Sequence, residues 1–265
     1  MARATCAGKA PHLTLCRENA QTFHSSICII AITMTATESQ YRRALIVGAG
    51  QGLSASLARA LIGRGIDVAL AARDVQKLSE LAASSGARLF KADAQVEADV
   101  DRLFAEVDRQ LGTPDIVVYN ASARVRGPIA TLDADAVRKS LMVTAFGAFL
   151  VAQRAAARML PNRHGAILFT GASASVKGYA QSAPFAMGKF AVRGLAQSMA
   201  RELAPSGIHV AHFVIDGAIR PRGQSDPDDR ALDPDAIAEA YLGVLMQPRS
   251  AWTWEVELRP WVENF

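Results

Sequence analysis

From Arg43 onward, short apolar runs take turns with amphipathic helical patterns, and this alternation constrains the fold more than any other feature of the chain. Arg43-Ala-Leu-Ile-Val47 reads as a buried strand, and Leu53, Leu57 and Leu61 mark one face of the helix behind it. Asp67 to Ala71 is a second strand, followed by a helix through Val75, Leu78 and Leu81. Ala87 to Phe90 is a third, and Val100, Leu103, Phe104 and Val107 face inward on a helix from Val96 to Leu111. Asp115 to Tyr119, Ala166 to Phe169 and Ile208 to Ile215 are further strands, separated by helical stretches from Ala134 to Met159 and from Ala183 to Leu203. Trp252 to Leu258 alternates well enough to be the last strand. Such alternation predicts a single doubly wound α/β domain from about residue 41 to 265, with a parallel sheet covered on both faces by right-handed crossovers.

Gly48-Ala-Gly-Gln-Gly-Leu-Ser54 stands where the first strand passes into the first helix. Glycines at that junction permit a tight turn and let backbone N–H groups approach a pyrophosphate at the positive end of the helix. The position after the first strand of a βαβ unit turns a weak motif into a dinucleotide-binding expectation of the Rossmann type. The competing reading is a structural turn without a ligand.

With 265 residues, 50% hydrophobic and 20% charged, the chain suffices for one domain with a full core. A formal net charge of +4 is spread over scattered Arg and Lys, so neither a nucleic-acid partner nor a membrane is expected, and no apolar run approaches a bilayer span. Cys6, Cys16 and Cys28 all precede the body, whose lack of cysteine predicts a cytoplasmic location. Residues 1–40 read as a tail outside the fold. Its first 33 residues lack strand or helix periodicity and carry Arg3, Lys9 and Arg17 against Glu18, which leaves a transit peptide open. The preferred expectation is a true start near Met34. Arg220 to Pro234, rich in Pro, Asp and Arg, reads as a mobile loop, either a substrate lid or a solvated connection.

On these residues the chain from about Arg43 onward resembles the short-chain dehydrogenase/reductase family. The family turn has the form TGxxxGIG: Gly48 and Gly52 match, Val47 replaces Thr, Leu53 replaces Ile, and Ser54 replaces the last Gly. Asp93-Ala94 resembles the pair that meets the adenine ring. Asn120-Ala121-Ser122 resembles Asn-Ala-Gly after the fourth strand, and Asp216-Gly217-Ala218-Ile219 resembles the Pro-Gly-x-Val turn beside the nicotinamide. The resemblance thus implies a cofactor site made by Gly48, Gly50, Gln51, Gly52, Leu53, Arg73, Asp93, Ala94, Asn120, Ala121, Lys189, Gly217 and Ile219.

NAD-preferring members place an acid at the end of the second strand, where a carboxylate binds ribose hydroxyls and repels a 2′-phosphate. This chain has Ala72 and then Arg73, whose guanidinium is suited to a charge-assisted pair with that phosphate, so NADP(H) is expected ahead of NAD(H). The alternative for Arg73 is a local pair with Asp74.

The catalytic set departs furthest from the family quartet of Asn, Ser, Tyr and Lys. In Ser182-Ala-Pro-Phe-Ala-Met-Gly-Lys189, Ser182 suits an N-cap and Pro184 a first turn, which puts Phe185 and Lys189 at i and i+4 on one helix face. Lys189 is kept, Phe185 takes the Tyr position, Thr144 the Asn position, and the Ser position falls on Ala172 or, with one shift, Ser173. An atypical branch of the family shares this Phe-x-x-x-Lys pattern, so Phe185 is read as native. Tyr179 is either a substitute acid or a loop packing residue, and water relayed through Ser173 is a further route. His209 and His212 read as structural and His164 as solvated. No Cys/His/Asp cluster has metal-ligand spacing.

The expected protein is an NADP(H)-dependent oxidoreductase moving hydride between cofactor and a small carbonyl or alcohol. Its rival is a non-catalytic NADP(H)-binding sensor or partner subunit. A homodimer or homotetramer is expected through the helices around Val143 to Met159 and Ala183 to Leu203, which form the family's isologous interfaces.

Overall fold

Side chains leave successive strand positions on opposite faces of the sheet, and here most strand positions are buried on whichever face they point to, the exceptions lying chiefly in the two edge strands. The computed structural model describes residues 40–263, which form one doubly wound α/β domain; residues 1–39, with the three cysteines and the expected start at Met34, lie outside the described residues. Seven parallel strands, β1 (Arg43–Val47), β2 (Asp67–Ala72), β3 (Arg88–Lys91), β4 (Ile116–Tyr119), β5 (Gly165–Thr170), β6 (Ile208–Ile215) and β7 (Glu255–Leu258), lie in the order β3-β2-β1-β4-β5-β6-β7. The first six match the sequence expectation closely. The seventh begins later, because Trp252 stacks on His209 with ring centroids 4.5 Å apart and donates its indole N–H to the Gln247 carbonyl, outside the ladder.

Helices α1 (Leu53–Ile62), α2 (Ser79–Ser85), α3 (Glu97–Gln110), α4 (Ala134–Leu141), α5 (Gly147–Met159), α6 (Ala183–Leu203) and α7 (Pro234–Leu245) cover the sheet. Ala44, Ile46, Leu70, Leu168 and Phe213 pack on one face with Leu57 and Leu61 of α1 and Ile237 and Tyr241 of α7. Leu45, Val47, Val117, Ile167 and Phe169 pack on the other with Phe104 of α3, Val151 of α5 and Val192 of α6. Alternate residues of one strand thus belong to different cores.

Two expectations are corrected here. The segment expected to run to Pro234 ends at Asp233, since Pro234 opens α7, and its ends are fastened: Ile219 bridges to Leu232, the Arg220 N–H donates to the Leu232 carbonyl at 3.0 Å, and the Arg220 side chain pairs with Asp233. Asp233 then caps α7 by accepting from the Asp235 N–H, with Pro234 in the first turn. The polar residues that suggested a mobile segment are its fasteners. Second, the helical stretch Ala134–Asn162 is long and apolar enough, by length and composition, to cross a bilayer, with a mean hydropathy of 1.4 in its richest window. Its apolar residues include Leu150, Val151 and Ala155, which are buried against the sheet, and Phe146 and Phe149, which are exposed.

That stretch is not uniformly α. Residues Met142–Phe146 form a π turn between α4 and α5, and the Tyr119 hydroxyl donates to the Val143 carbonyl within it.

Candidate active site

The strand order reverses between β1 and β4, so their carboxyl ends open a crevice between connections that leave in opposite directions. Gly48 enters it with φ +83°, and a Cβ there would stand 2.2 Å from the Ala121 nitrogen, so the first glycine is required for both conformation and space. Its N–H and that of Ala49 both donate to the Ala71 carbonyl. Asn120 crosses from β4 and donates to the Ser54 hydroxyl at 2.8 Å and to the Gly48 carbonyl at 3.3 Å. Ser54, which stands in a family glycine slot, is therefore a strut of the turn. A Cβ at Gly50 or Gly52 would meet nothing within 4 Å, and Gly52 precedes α1 with no side-chain cap. The positive end of α1 faces open space of the kind a pyrophosphate fills. A cavity of about 1050 Å³ runs from Gly50, Gln51, Gly52, Leu53 and Ser54 to Lys189, Phe185, Gly217 and Ile219.

A second hollow of about 320 Å³ lies on the other side of the turn, lined by Gly48, Ala72, Arg73, Asp93, Ala94, Asn120 and Ala121 together with Lys77. The structure thus brings together the two halves of the expected cofactor site. Among the described residues Arg73 makes no ion pair; Asp74 is instead engaged by Lys77 at 3.4 Å and by the Gln76 N–H. Lys77 escaped sequence reasoning, although a second basic residue four positions after Arg73 was the available signal. Gln51 turns its amide to the Lys77 carbonyl at 2.7 Å, tying the glycine turn to this wall.

On α6, Ser182 holds the N-cap position without a side-chain bond, Pro184 lies in the first turn, and Phe185 and Lys189 both reach the main cavity. The Lys189 ammonium is buried and donates to the Thr170 carbonyl at 2.7 Å. Burial lowers its pKa to about 8, and the charge of Arg124 adds to the effect. The Phe185 ring packs with Ala172 and Ala174, has Arg124 over it at 4.2 Å, and stands 5.9 Å from the Lys189 nitrogen.

The remaining catalytic candidates do not gather at Lys189. Ala172 lines the main cavity, whereas Ser173 and Tyr179 line a separate side cavity of about 350 Å³ with Arg124, Arg126, Ser182 and Phe185. Tyr179 is 49% exposed. Thr144 is buried in the π turn, where its hydroxyl accepts from the Ala123 N–H at 3.0 Å and its methyl closes on Gly188. It holds a loop and lines neither cavity. Asp216 pairs with Lys177 at 3.1 Å, which fixes the turn carrying Gly217 and Ile219. Arg124, Arg220 and Arg222 also line the main cavity and were not anticipated.

His212 and His209 are structural, as expected. His212 is buried between the Glu255 carboxylate at 3.0 Å and the Ser175 hydroxyl at 3.3 Å, and burial depresses its pKa to about 4. Among the described residues no cluster could hold a metal ion.

Comparison with known proteins agrees with this geometry. The short chain dehydrogenase family model matches residues 42–222. A short-chain dehydrogenase from Rhodopseudomonas palustris is 34% identical, with a TM-score of 0.73 over 83% of this chain and 99% of that one. A metagenomic short-chain oxidoreductase, solved in complex with NADP, is 26% identical, with a TM-score of 0.73 over 83% of this chain and 97% of its own. An uncharacterised oxidoreductase of Staphylococcus aureus strain N315 is 29% identical over 224 residues, covering 82% of this chain and 96% of the relative. The open glycine turn, the floor lysine and the adenosine-side hollow fit a nicotinamide dinucleotide, and the chain belongs to the short-chain dehydrogenase/reductase family of oxidoreductases.

Proposed function

We propose that the protein is an NADP(H)-dependent oxidoreductase acting between a carbonyl and the corresponding alcohol, with an active site that lacks the family tyrosine. The observation that carries this reading is the buried Lys189 ammonium on the floor of a cavity continuous with the open glycine turn. Bound nicotinamide supplies or accepts the hydride. The protein's own residues position the reactants and exclude water. Lys189, anchored on Thr170, presents hydrogen-bond donors for a ribose hydroxyl; Phe185, Ala172 and Ile219 give the reacting region apolar walls. Phe185 has no proton to deliver, so the proton reaches the substrate from water or from a hydroxyl of the side cavity. Preference for NADP(H) is supported by the presence of both Arg73 and Lys77 in the lining of the adenosine-side hollow and by the NADP bound to the metagenomic relative.

The second reading, an NADP(H)-binding sensor or partner subunit, is favoured by one observation: Phe185, at the family tyrosine position, and Ala172, the serine position in an ungapped reading, pack against each other. Single-turnover oxidation of bound NADPH over a panel of small aldehydes and ketones separates the two. Turnover with any of them supports the enzyme; stoichiometric NADPH binding with none supports the sensor.

Self-association through α5 and α6 is part of the same reading. Phe146, Phe149, Met187 and Phe190 are each more than 40% exposed there, and the first two stack on each other. The cysteine-free body supports a cytoplasmic location.

A further inference from the structure

The side cavity is electrostatically one-sided. Its wall carries Arg124 and Arg126, the hydroxyl residues Ser173, Tyr179 and Ser182, and the ring of Phe185, with no carboxylate. Among the described residues neither arginine makes an ion pair. Partial burial and then the Arg126 charge disfavour the Arg124 cation, and burial and then the Arg124 charge disfavour the Lys189 cation. Both arginines are exposed, so the pair is solvated in the free protein, and an arriving anion gains charge-assisted hydrogen bonds from both.

The backbone that carries the two arginines is fastened at both ends. The Ala123 N–H donates to the Thr144 hydroxyl, the Ser140 hydroxyl donates to the Ala123 carbonyl at 3.1 Å, and the Gly127 N–H donates to the Gln181 carbonyl at 3.1 Å. Both ends of the segment bearing Arg124 and Arg126 are therefore fastened, one to the helix around the π turn and the other to the loop that closes the side cavity. Arg124 and Phe185 line both cavities and form the partition between them.

We propose that the side cavity binds the carboxylate of a small carbonyl-bearing acid, with Arg124 and Arg126 as the anion-binding pair and the Phe185 ring against the acid's apolar body. This assignment rests on the carbonyl/alcohol reading above and names the substrate class within it. A planar carboxylate suits the forked donors of a guanidinium, and a cavity of about 350 Å³ suits a small acid.

Binding is measured by calorimetry for 4-formylbenzoate, its methyl ester and 4-formylphenyl phosphate, with and without saturating NADP⁺, so that no reaction occurs. The acid is expected to bind at least tenfold more tightly than the ester. Most of that gap should vanish in Arg124→Gln, part of it in Arg126→Gln, and part should return in Arg124→Lys. Arg109→Gln, which removes an exposed charge at the end of α3, should leave it unchanged. Melting temperatures near wild type establish that the variants fold. Equal binding of acid and ester, no binding of either at millimolar concentration, or a gap that survives in the Arg124→Gln/Arg126→Gln double variant overturns the assignment. Tighter binding of the phosphate than of the acid overturns the choice of carboxylate. The carbonyl/alcohol reading fails separately, if the acid preference holds and NADPH is oxidised by no carbonyl tried.

Discussion

The Lys189 ammonium stands 5.9 Å from the centroid of the Phe185 ring, within one turn of the same helix and facing the same cavity. A phenol on that ring would lie beside a cation that stabilises phenolate. Phe185→Tyr is therefore expected to raise single-turnover carbonyl reduction about tenfold or more, toward the roughly 10² to 10⁴ that a positioned acid contributes. Ala172→Ser added to it should raise the rate further, since Ala172 contacts the ring. A slower Phe185→Tyr variant would show that another group already delivers the proton.

Arg73 and Lys77 share the adenosine-side hollow, but only Lys77 is engaged by Asp74. Arg73→Ala should weaken NADPH about tenfold or more and leave NADH nearly unchanged, as loss of a charge-assisted contact of about 1.5–3 kcal/mol implies. Lys77→Ala should cost less. Fluorescence titration of both cofactors checks the pattern, and equal wild-type affinities would remove it.

Lys189 has its pKa lowered from the ordinary 10.5 to about 8 by burial. Across that window the folded state binds fewer protons than the unfolded chain, so this group makes stability rise with pH. Relative to Lys189→Met, the wild type should gain up to about 3 kcal/mol between pH 8 and 10.5, tracked by urea unfolding at several pH values. A difference between the two proteins that does not change with pH would contradict the burial of a charged amine.

Phe149 on α5 and Phe190 on α6 are both over 40% exposed. Phe149→Glu/Phe190→Glu should convert a dimer or tetramer to monomer by light scattering at micromolar concentration, with α-helical content unchanged. A wild type of monomer mass would reject self-association.

The sheet is legible in the sequence because its central strands are buried on both sides and so appear as mainly apolar runs between turns; Arg43–Val47 and Ile208–Ile215 agree with that reading to the residue. The glycine turn is legible because Gly48 has no substitute at φ +83°. Helix α7 is hidden because Asp233 and Pro234 read as loop residues when they are its cap and first turn, although Ile237, Tyr241 and Leu245 recur at the spacing of one helical face. Around Lys189 spacing fails for a different reason. It places Thr144 among the catalytic residues, but the π turn directs its hydroxyl to the Ala123 backbone. It could not place Arg124, because the course of a long side chain depends on hydrogen bonds between segments far apart in the sequence.

The π turn at Met142–Phe146 divides one continuous rod into two halves of different register. One residue beyond the α count rotates the downstream half by about 100° relative to an uninterrupted helix. The upstream half fastens the arginine loop through Ser140, while the downstream half presents Leu150, Val151 and Ala155 to the core. Their registers are geared independently, and Gly147, with no room for a Cβ against Tyr119 and Ala94, keeps the second gear meshed. Forcing the turn to the α count without removing a residue would swing the core side of α5 toward solvent. Substitutions upstream can instead re-aim the loop over the substrate while the sheet packing stays as it is, so that specificity drifts along one half of the rod and foldability is guarded by the other.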